Sequence, residues 1–224
     1  MDKRATPQDA LRPAPASDSC EQLAAQASVR ALIESRHNVS PKRLEEPGPT
    51  AAQLHSMLVA AAAAPDHGLL TPWRFILVPA DRRHLLAEAF ALALIDRDPG
   101  ATLAQIESAR EKAHRAPLLL VAIARLGPRE PNVPPLERMV SMGAAIQNLL
   151  LVAHAMGFGA GLTSGQAMAS PRLHRLCGLS EDEVPVCCIS IGTVTHRKVV
   201  ACTRPLPSDF LSELGDTSAT DCLQ

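Results

Sequence analysis

The chain has 224 residues, a formal net charge of −1 and 2% aromatic residues. This length is sufficient for one domain with a buried core, and scattered basic residues with few aromatic rings argue against nucleic-acid binding. The six cysteines form no CxxC pair, and the N-terminus has no apolar segment typical of a signal peptide. We therefore expect reduced thiols in a cytoplasmic protein.

The chain divides into two regions of different composition. Residues 1–18 are rich in Pro, Ala, Asp and Ser, which predicts a disordered N-terminal extension. Residues 19–224 are predicted to form a single domain with an irregular C-terminal tail, because apolar segments recur along them with helix and strand spacing. The sequence shows no internal repeat.

The predicted helices follow from caps, prolines and apolar spacing. Ser19, Thr50 and Asp81 are suitable N-caps. The longest candidate, Leu136 to Met156, is apolar on nearly all sides, which predicts a central buried helix or an oligomer interface. Its polar and charged residues argue against a membrane span. Helices are predicted at residues 19–35, 51–63, 81–96, 102–114, 136–156 and 170–177.

Three apolar segments predict β-strands. Leu118–Ala124 and Val186–Gly192 are continuous apolar runs, which are typical of strands covered on both faces. Residues 74–79 predict a shorter strand. Strands and helices that alternate outside a regular βαβ series indicate an α+β domain with a mixed central sheet surrounded by helices. Adjacent Cys187 and Cys188 would point to opposite faces of their strand, which places them in the core.

Familiar catalytic and cofactor motifs are absent from the sequence. Residues 157–161 contain three glycines, as a dinucleotide-binding fingerprint does, but they follow a predicted helix instead of a strand. We therefore reject a Rossmann fold and interpret Gly157 and Gly159 as a flexible helix-to-strand turn. The chain has no P-loop, HExxH or GxSxG motif, and its eight histidines lack metal-ligand spacing, so no metal is expected.

Three polar segments lie at the ends of predicted elements. Residues 36–38 follow the first helix, where an arginine suits a phosphate but also suits a solvated helix C-terminus. His67 lies in a loop that ends at Thr71-Pro72-Trp73, and Pro72 favours extended geometry for Thr71. Trp73, the single tryptophan, is interpreted as core. Residues 162–165 follow the glycines and offer backbone amides to a flat ring, or form a plain turn.

Together these segments resemble the FMN-dependent nitroreductase family, in particular its small single-domain NAD(P)H nitroreductases. Residues 32–40 (Leu-Ile-Glu-Ser-Arg-His-Asn-Val-Ser) are similar to the family's first helix and its Arg-rich turn. Residues 64–75, with Ala-Pro-Asp-His and Thr-Pro-Trp, are similar to its Ala-Pro-Ser/Asp and Gln-Pro-Trp segment. Residues 157–165 are similar to its glycine-rich flavin segment. The resemblance extends from about Val29 to about Pro205.

The resemblance implies a nitroreductase-like fold and a homodimer with two FMN sites, where the long helix lies at the dimer interface. NADH or NADPH would deliver hydride to flavin N5, and a small electron-poor acceptor, such as a nitroaromatic or a quinone, would be reduced in a ping-pong cycle. The flavin carries this chemistry, so no side chain is expected to be catalytic.

The same resemblance implies a set of cofactor contacts. Residues 36–38 would hold the FMN phosphate and ribityl chain, residues 162–164 would line the isoalloxazine with a backbone amide near N5, and His67 and Thr71 would come from the neighbouring subunit. A C-terminal basic residue would meet the phosphate, with Arg204 as one candidate. The implied FMN contacts are Arg36, His37, Asn38, His67, Thr71, Leu162, Thr163, Ser164, Arg197 and Lys198.

Three alternatives remain open, and two departures from the family pattern motivate the first of them. His37-Asn38 replaces the commoner Arg-Ser, and Thr71 replaces the usual Gln. A flavin-binding protein for storage or sensing is one alternative. Another is a different redox reaction of the same fold, such as dehalogenation, enoate reduction or flavin fragmentation, with the loop Gly127–Pro135 as a substrate lid. A third is a helical interaction protein that binds a partner through Leu136–Met156.

Overall fold

The computed structural model describes residues 19–128, 131–195 and 204–214. The predicted extension, residues 1–18, and the predicted contacts Arg197 and Lys198 lie outside the described residues. The α-helices are α1 (Cys20–Ser35), α2 (Ala51–Ala62), α3 (Arg83–Arg97), α4 (Leu103–Glu111), α5 (Pro135–Ala155) and α6 (Pro171–Leu176). The strands are β1 (Leu44–Glu45), β2 (Trp73–Leu77), β3 (Leu118–Arg125), β4 (Gly159–Thr163) and β5 (Glu183–Val194).

Side-chain caps determine where two of the predicted helices begin. Ser19 and Thr50 each accept a hydrogen bond from the backbone N–H three residues further on, and the backbone N–H of each cap donates to the side-chain oxygen of the glutamine there. Both predicted caps are confirmed, and each satisfies backbone donors that the first helical turn leaves unpaired. The predicted cap Asp81 is wrong. A 3₁₀ turn over Ala80–Arg82 precedes α3 and contains Asp81, which makes no capping bond.

The sheet places β5 between the other strands. The strand order is β1-β5-β3-β2, and β4 also pairs with β5. All of these strand pairs are antiparallel. A parallel pairing occurs as an isolated bridge between Asn38 and Ala160. The α+β class is confirmed, while the expected mixed sheet is antiparallel in its strand pairs. For β2 and β3 the connection through α3 and α4 explains the antiparallel direction. It returns the chain to the end where β2 stops, so that Leu77 lies opposite Leu120.

The two faces of the sheet bury two separate apolar clusters. Leu120 and Ala122 of β3 face α2 and α5, whereas Leu119 and Val121 face α3 and α6. This alternation follows from the two-residue period of a strand. Trp73 belongs to the α5 side, as predicted.

The adjacent cysteines follow the same alternation. Cys187 lies in the cluster with α5, and Cys188 lies in the cluster on the opposite face. Burial raises the pKa of Cys187 to about 11 and that of Cys188 to about 12. Both are therefore neutral core thiols at pH 7, as the sequence predicted.

The long helix α5 is central, as predicted. Met142, Ala145 and Leu149 are fully buried between the sheet and α2. Its N-terminal part exposes Leu136 and Val140. Among the described residues, no helix is both long enough and apolar enough to cross a membrane.

Candidate functional site

The end of α1 is attached directly to the edge of β4. The backbone N–H of Leu162 donates to Asn38 Oδ1 at 3.0 Å, and the N–H of Val39 donates to the Ala160 carbonyl at 2.9 Å. These bonds bring together two of the three segments singled out in the sequence. Because Asn38 already uses the Leu162 amide, a backbone donor to a ligand at this edge must come from a residue beyond Leu162.

Glycine permits this close approach. A Cβ at Gly161 would collide with the Val39 carbonyl oxygen, and one at Gly159 would collide with Val194 and with Leu44. The prediction of a flexible turn is therefore wrong at Gly159, which begins β4, and the turn is confined to the residues before it, Gly157 among them. The glycines serve contact between neighbouring segments, not flexibility.

A cationic cavity of about 510 Å³ lies at the first of these segments. Arg36, His37, Asn38, Arg43 and His154 contribute to its lining. Within the described residues, the Nε of Arg36 is buried and has no hydrogen-bond partner. A buried donor without a partner costs free energy, which a ligand acceptor would recover.

Arg204 is the C-terminal basic candidate that falls in the described part of the chain. Its Nη2 donates to the carbonyls of Glu34 at 2.8 Å and Arg36 at 3.1 Å. A cation at a helix C-terminus interacts favourably with the unpaired carbonyls there. The C-terminal segment therefore returns to the end of α1, beside the cationic cavity.

A second cavity, of about 610 Å³, opens at the other end of β4. Thr163, Ser164 and Gly165 line it. The Ser164 hydroxyl donates to the Val186 carbonyl at 2.9 Å, so it stabilises the strand end. A Cβ at Gly165 would meet no atom within 4 Å, so the backbone is open to the cavity there.

Sequence reasoning missed the opposite wall of this second cavity. Gln105, Ser108 and Lys112 line it from α4 and the turn that follows. Their spacing of three and four residues forms a polar stripe on one face of a helix. That stripe was the available signal, although a polar stripe is also typical of any solvated helix face.

The loop that carries His67 and Thr71 has its own local bonding. His67 Nδ1 lies 2.7 Å from Glu137 Oε2 at the start of α5, and both side chains are largely exposed. Thr71 has a φ of 45°, so the prediction of extended geometry is wrong. The reason is Asp66, whose Oδ2 accepts the Thr71 N–H at 2.6 Å and closes a tight loop.

The predicted contacts fall into two groups at opposite ends of α5. Glu137, near the start of α5, holds His67, whereas His154, near its end, lines the cavity with Arg36 and Asn38. At about 1.5 Å per helical residue, these two positions on α5 are about 26 Å apart. A single chain therefore does not bring His67 and Thr71 to Arg36 and Asn38.

Comparison with known proteins identifies the family. The family model for nitroreductases matches residues 33–193. A protein named "Putative NAD(P)H nitroreductase" from Haemophilus influenzae is 32% identical over 175 residues, which is 78% of this chain and 94% of that protein. The chain belongs to the nitroreductase family. YdjA of Escherichia coli K12, which carries the same name, is 30% identical over 185 residues, 83% of this chain and 98% of YdjA.

Solved structures confirm the predicted nitroreductase-like fold. A nitroreductase-like family protein from Bacillus cereus superimposes with a TM-score of 0.70 at 22% identity, covering 83% of this chain and 95% of that one. A variant of the FMN and NADPH-dependent nitroreductase NfnB from Sphigopyxis sp. strain HMH gives 0.66 at 17% identity, covering 83% and 98%. At these identities the likeness establishes the fold alone.

Among the described residues of the chain, no group of three or more His, Cys, Asp and Glu side chains could hold a metal ion.

Proposed function

We propose that this member of the nitroreductase family is an FMN-dependent oxidoreductase that uses NADH or NADPH to reduce electron-poor acceptors, such as nitroaromatics or quinones. The names of its relatives refer to NAD(P)H, and that of NfnB refers to FMN and NADPH. The observation that carries the proposal is the hydrogen bond from Leu162 to Asn38. It joins the cationic cavity to the strand end beside the second cavity.

The residues present fit FMN. This cofactor joins a phosphate to a flat ring through a polar chain, so its site needs cations, then polar groups, then an open flat surface. Arg36 supplies a buried donor without a partner in the described chain, and Arg43 lies in the same cavity. Asn38 connects that cavity to β4, and Gly165 leaves the backbone open at the far end. A glycine surface lets a ring approach the main chain closely.

Each group of residues has a distinct task in this proposal. Arg36 and Asn38 would bind the phosphate and the ribityl chain, and Thr163 to Gly165 would support the ring. When bound, FMN would accept two electrons from NAD(P)H and pass them to the acceptor. The reduction of a nitro group to a nitroso group would consume one NAD(P)H and one proton and release water. Lys112, which lines the second cavity, would stabilise negative charge that develops there during the reduction.

We also propose a homodimer, because the predicted contacts lie at opposite ends of α5. A second copy with α5 reversed would bring His67 and Thr71 of one chain to the end of α1 of the other. Uncovered apolar side chains on α1 and α5 support this assembly, since such surface is typical of interfaces. They are Val29, Ile33, Leu136 and Val140, which are 57%, 43%, 80% and 73% exposed.

The loop proposed as a lid is fastened to the core. The buried guanidinium of Arg138 donates to the carbonyls of Gly127, Pro128, Pro131 and Val133 at 2.7–3.3 Å. Four bonds from one buried group make the described part of this loop a fixed wall. The alternatives that need a moving lid therefore receive no support from these contacts.

Steady-state kinetics test the proposal. Protein loaded with FMN is assayed with NADH or NADPH against a quinone and a nitroaromatic acceptor. Parallel lines in double-reciprocal plots are expected, because reductant and acceptor would use the same site in turn. Tightly bound flavin without turnover would favour the storage or sensing alternative. Light scattering of the same preparation gives the oligomeric state, and a monomer would contradict the proposed dimer.

A further inference from the structure

Three cationic side chains line the 610 Å³ cavity, and none of them has a partner in the part of the chain that the structure describes. Arg97 ends α3, Lys112 follows α4, and Arg115 precedes β3, and all three line the cavity. The described residues offer none of them a hydrogen bond or an ion pair to the side chain. Arg110, near the end of α4, differs from these three because it forms ion pairs with Glu88 and Glu107.

No described carboxylate forms an ion pair with these cations. The described lining of the cavity contains no Asp or Glu. Asp96, next to Arg97, is bound by both Nε and Nη2 of Arg172 at 2.8 and 3.0 Å. Glu107 and Glu111 line a separate cleft, which shares Arg115 with this cavity. A concave wall of one charge sign concentrates ligands of the opposite sign.

The cavity also has an apolar floor. Phe90 and Leu119 are buried side chains of its lining, and Leu94 adds a partly buried one. An apolar floor with a few fixed charges is the usual lining of a small-molecule site, and the volume lies in the usual range. The lining therefore suits a flat aromatic ligand that bears an anionic group.

We propose that this cavity selects aromatic acceptors that carry a carboxylate, held by Arg97 and Arg115. The inference rests on the proposed function, since it names the acceptor class for the same site. Arginine suits this role because its planar fork of donors matches a carboxylate. Thr163 to Gly165, which would support the flavin ring, form the wall at the end of β4, so the reducible group of the acceptor would lie over that ring.

The test compares a charged and a neutral acceptor of similar shape. The ratio of kcat/KM for 4-nitrobenzoate to that for 4-nitrobenzamide is measured with wild type, Arg97→Gln and Arg115→Gln, all loaded with FMN. Each substitution is expected to lower this ratio about tenfold, the effect of one lost charge-assisted hydrogen bond. Activity with the neutral amide is expected to fall much less, because a neutral carbonyl gains less from an arginine than a carboxylate does. Arg82→Gln is the matched control, because Arg82 is exposed at the other end of α3.

A binding measurement separates this inference from the proposed function. Calorimetry of 4-nitrobenzoate with the purified chain requires no reductant and no turnover. A Kd that weakens about tenfold in Arg97→Gln, but not in Arg82→Gln, supports the anion site even if the chain proves inactive as a reductase. Equal affinities of wild type and Arg97→Gln would overturn it. Variants that raise KM for NADPH alone, and leave the acceptor ratio unchanged, would overturn it as well.

Discussion

Asn38 and Leu162 are 124 positions apart in the sequence, and a 3.0 Å hydrogen bond joins the Asn38 side chain to the Leu162 backbone. Asn38 follows α1, where the cations lie, and Leu162 lies in β4, which leads to the larger cavity. A change in this single contact should therefore affect cofactor binding more than it affects the fold.

Asn38→Ala is expected to weaken FMN binding about tenfold, because both the strand edge and the ribityl chain lose a hydrogen bond. Fluorescence titration of the protein without cofactor measures the Kd. Asn148→Ala is the matched control, since the Asn148 amide donates to the Ala60 carbonyl and joins α5 to α2. The control should lower thermal stability and leave the FMN affinity unchanged. Equal affinities of wild type and Asn38→Ala would show that this bond does not position the cofactor.

Arg36→Glu and His67→Trp should each inactivate the protein but, in the proposed homodimer, complement each other when coexpressed. If every site combines Arg36 of one chain with His67 of its partner, a mixed dimer contains one intact site. About half of the dimers would be mixed, which gives about a quarter of wild-type activity. A chain that carries both substitutions, coexpressed with either single variant, is the control and should restore nothing. Absence of complementation in the first mixture would contradict a site that combines Arg36 of one chain with His67 of its partner.

Thr71→Gly should stabilise the protein by about 1 kcal/mol, because a β-branched residue with a φ of 45° is strained. Chemical denaturation gives the free energy of unfolding. Thr71→Ala is the control, since it removes the hydroxyl but keeps the Cβ that causes the strain. An alanine variant as stable as the glycine variant would mean that backbone strain is not the cause.

Glu183 should make stability depend on acid pH. Its hydrogen bonds with Arg74 and Arg125 and with the Ser180 backbone lower the pKa of this carboxyl from 4.5 to about 2, with Arg74 as the largest cause. A lowered folded-state pKa stabilises the protein fully above pH 4.5, and this stability is lost as the pH falls towards 2. Glu183→Gln should therefore cost about 2 kcal/mol at pH 7 and less than half of that at pH 3.

Denaturation curves at both pH values measure this difference. Glu107→Gln is the control, because Glu107 is 64% exposed in its pair with Arg110. An exposed pair contributes little, so the control should change stability by less than about 1 kcal/mol at either pH. A cost for Glu183→Gln that is equal at pH 7 and pH 3 would contradict the lowered pKa.

Arg138→Met should release the proline-rich loop. The substitution leaves four carbonyls without their buried donor and should cost about 3 kcal/mol. Limited proteolysis followed by mass spectrometry should then find new cleavage within residues 126–134. Arg83→Met is the control, since Arg83 is also buried and donates to backbone carbonyls, those of Ala113 and Pro117 among them. The control should lose similar stability without new cleavage in that loop; unchanged cleavage in Arg138→Met would show that other contacts hold the loop.

Local sequence patterns predicted the starts of α1 and α2 correctly but did not predict β4. Ser19 and Thr50 were recognised as caps because capping depends on neighbouring residues. β4 was missed because its glycines are typical of a turn. The reason for glycine at these positions is the close packing of Val39 and Val194, which is a property of the fold.

The candidate site shows the same limit. The resemblance to a family singled out Asn38 and Thr163, whereas the polar stripe that contains Ser108 could not be told from any solvated helix face until the fold placed it beside β4. The distance between His67 and Arg36 likewise depends on where α5 lies, which is a property of the whole fold.

An anaerobic absorbance titration tests the central claim most directly. Purified protein is mixed with FMN, freed of unbound flavin and titrated with NADH or NADPH. The account predicts flavin absorbance in the protein fraction, bleaching by about one equivalent of reductant per site, and its return when a nitroaromatic or quinone is added. A protein that stays colourless after FMN addition, or whose bound flavin is not bleached by either nucleotide, would contradict the account.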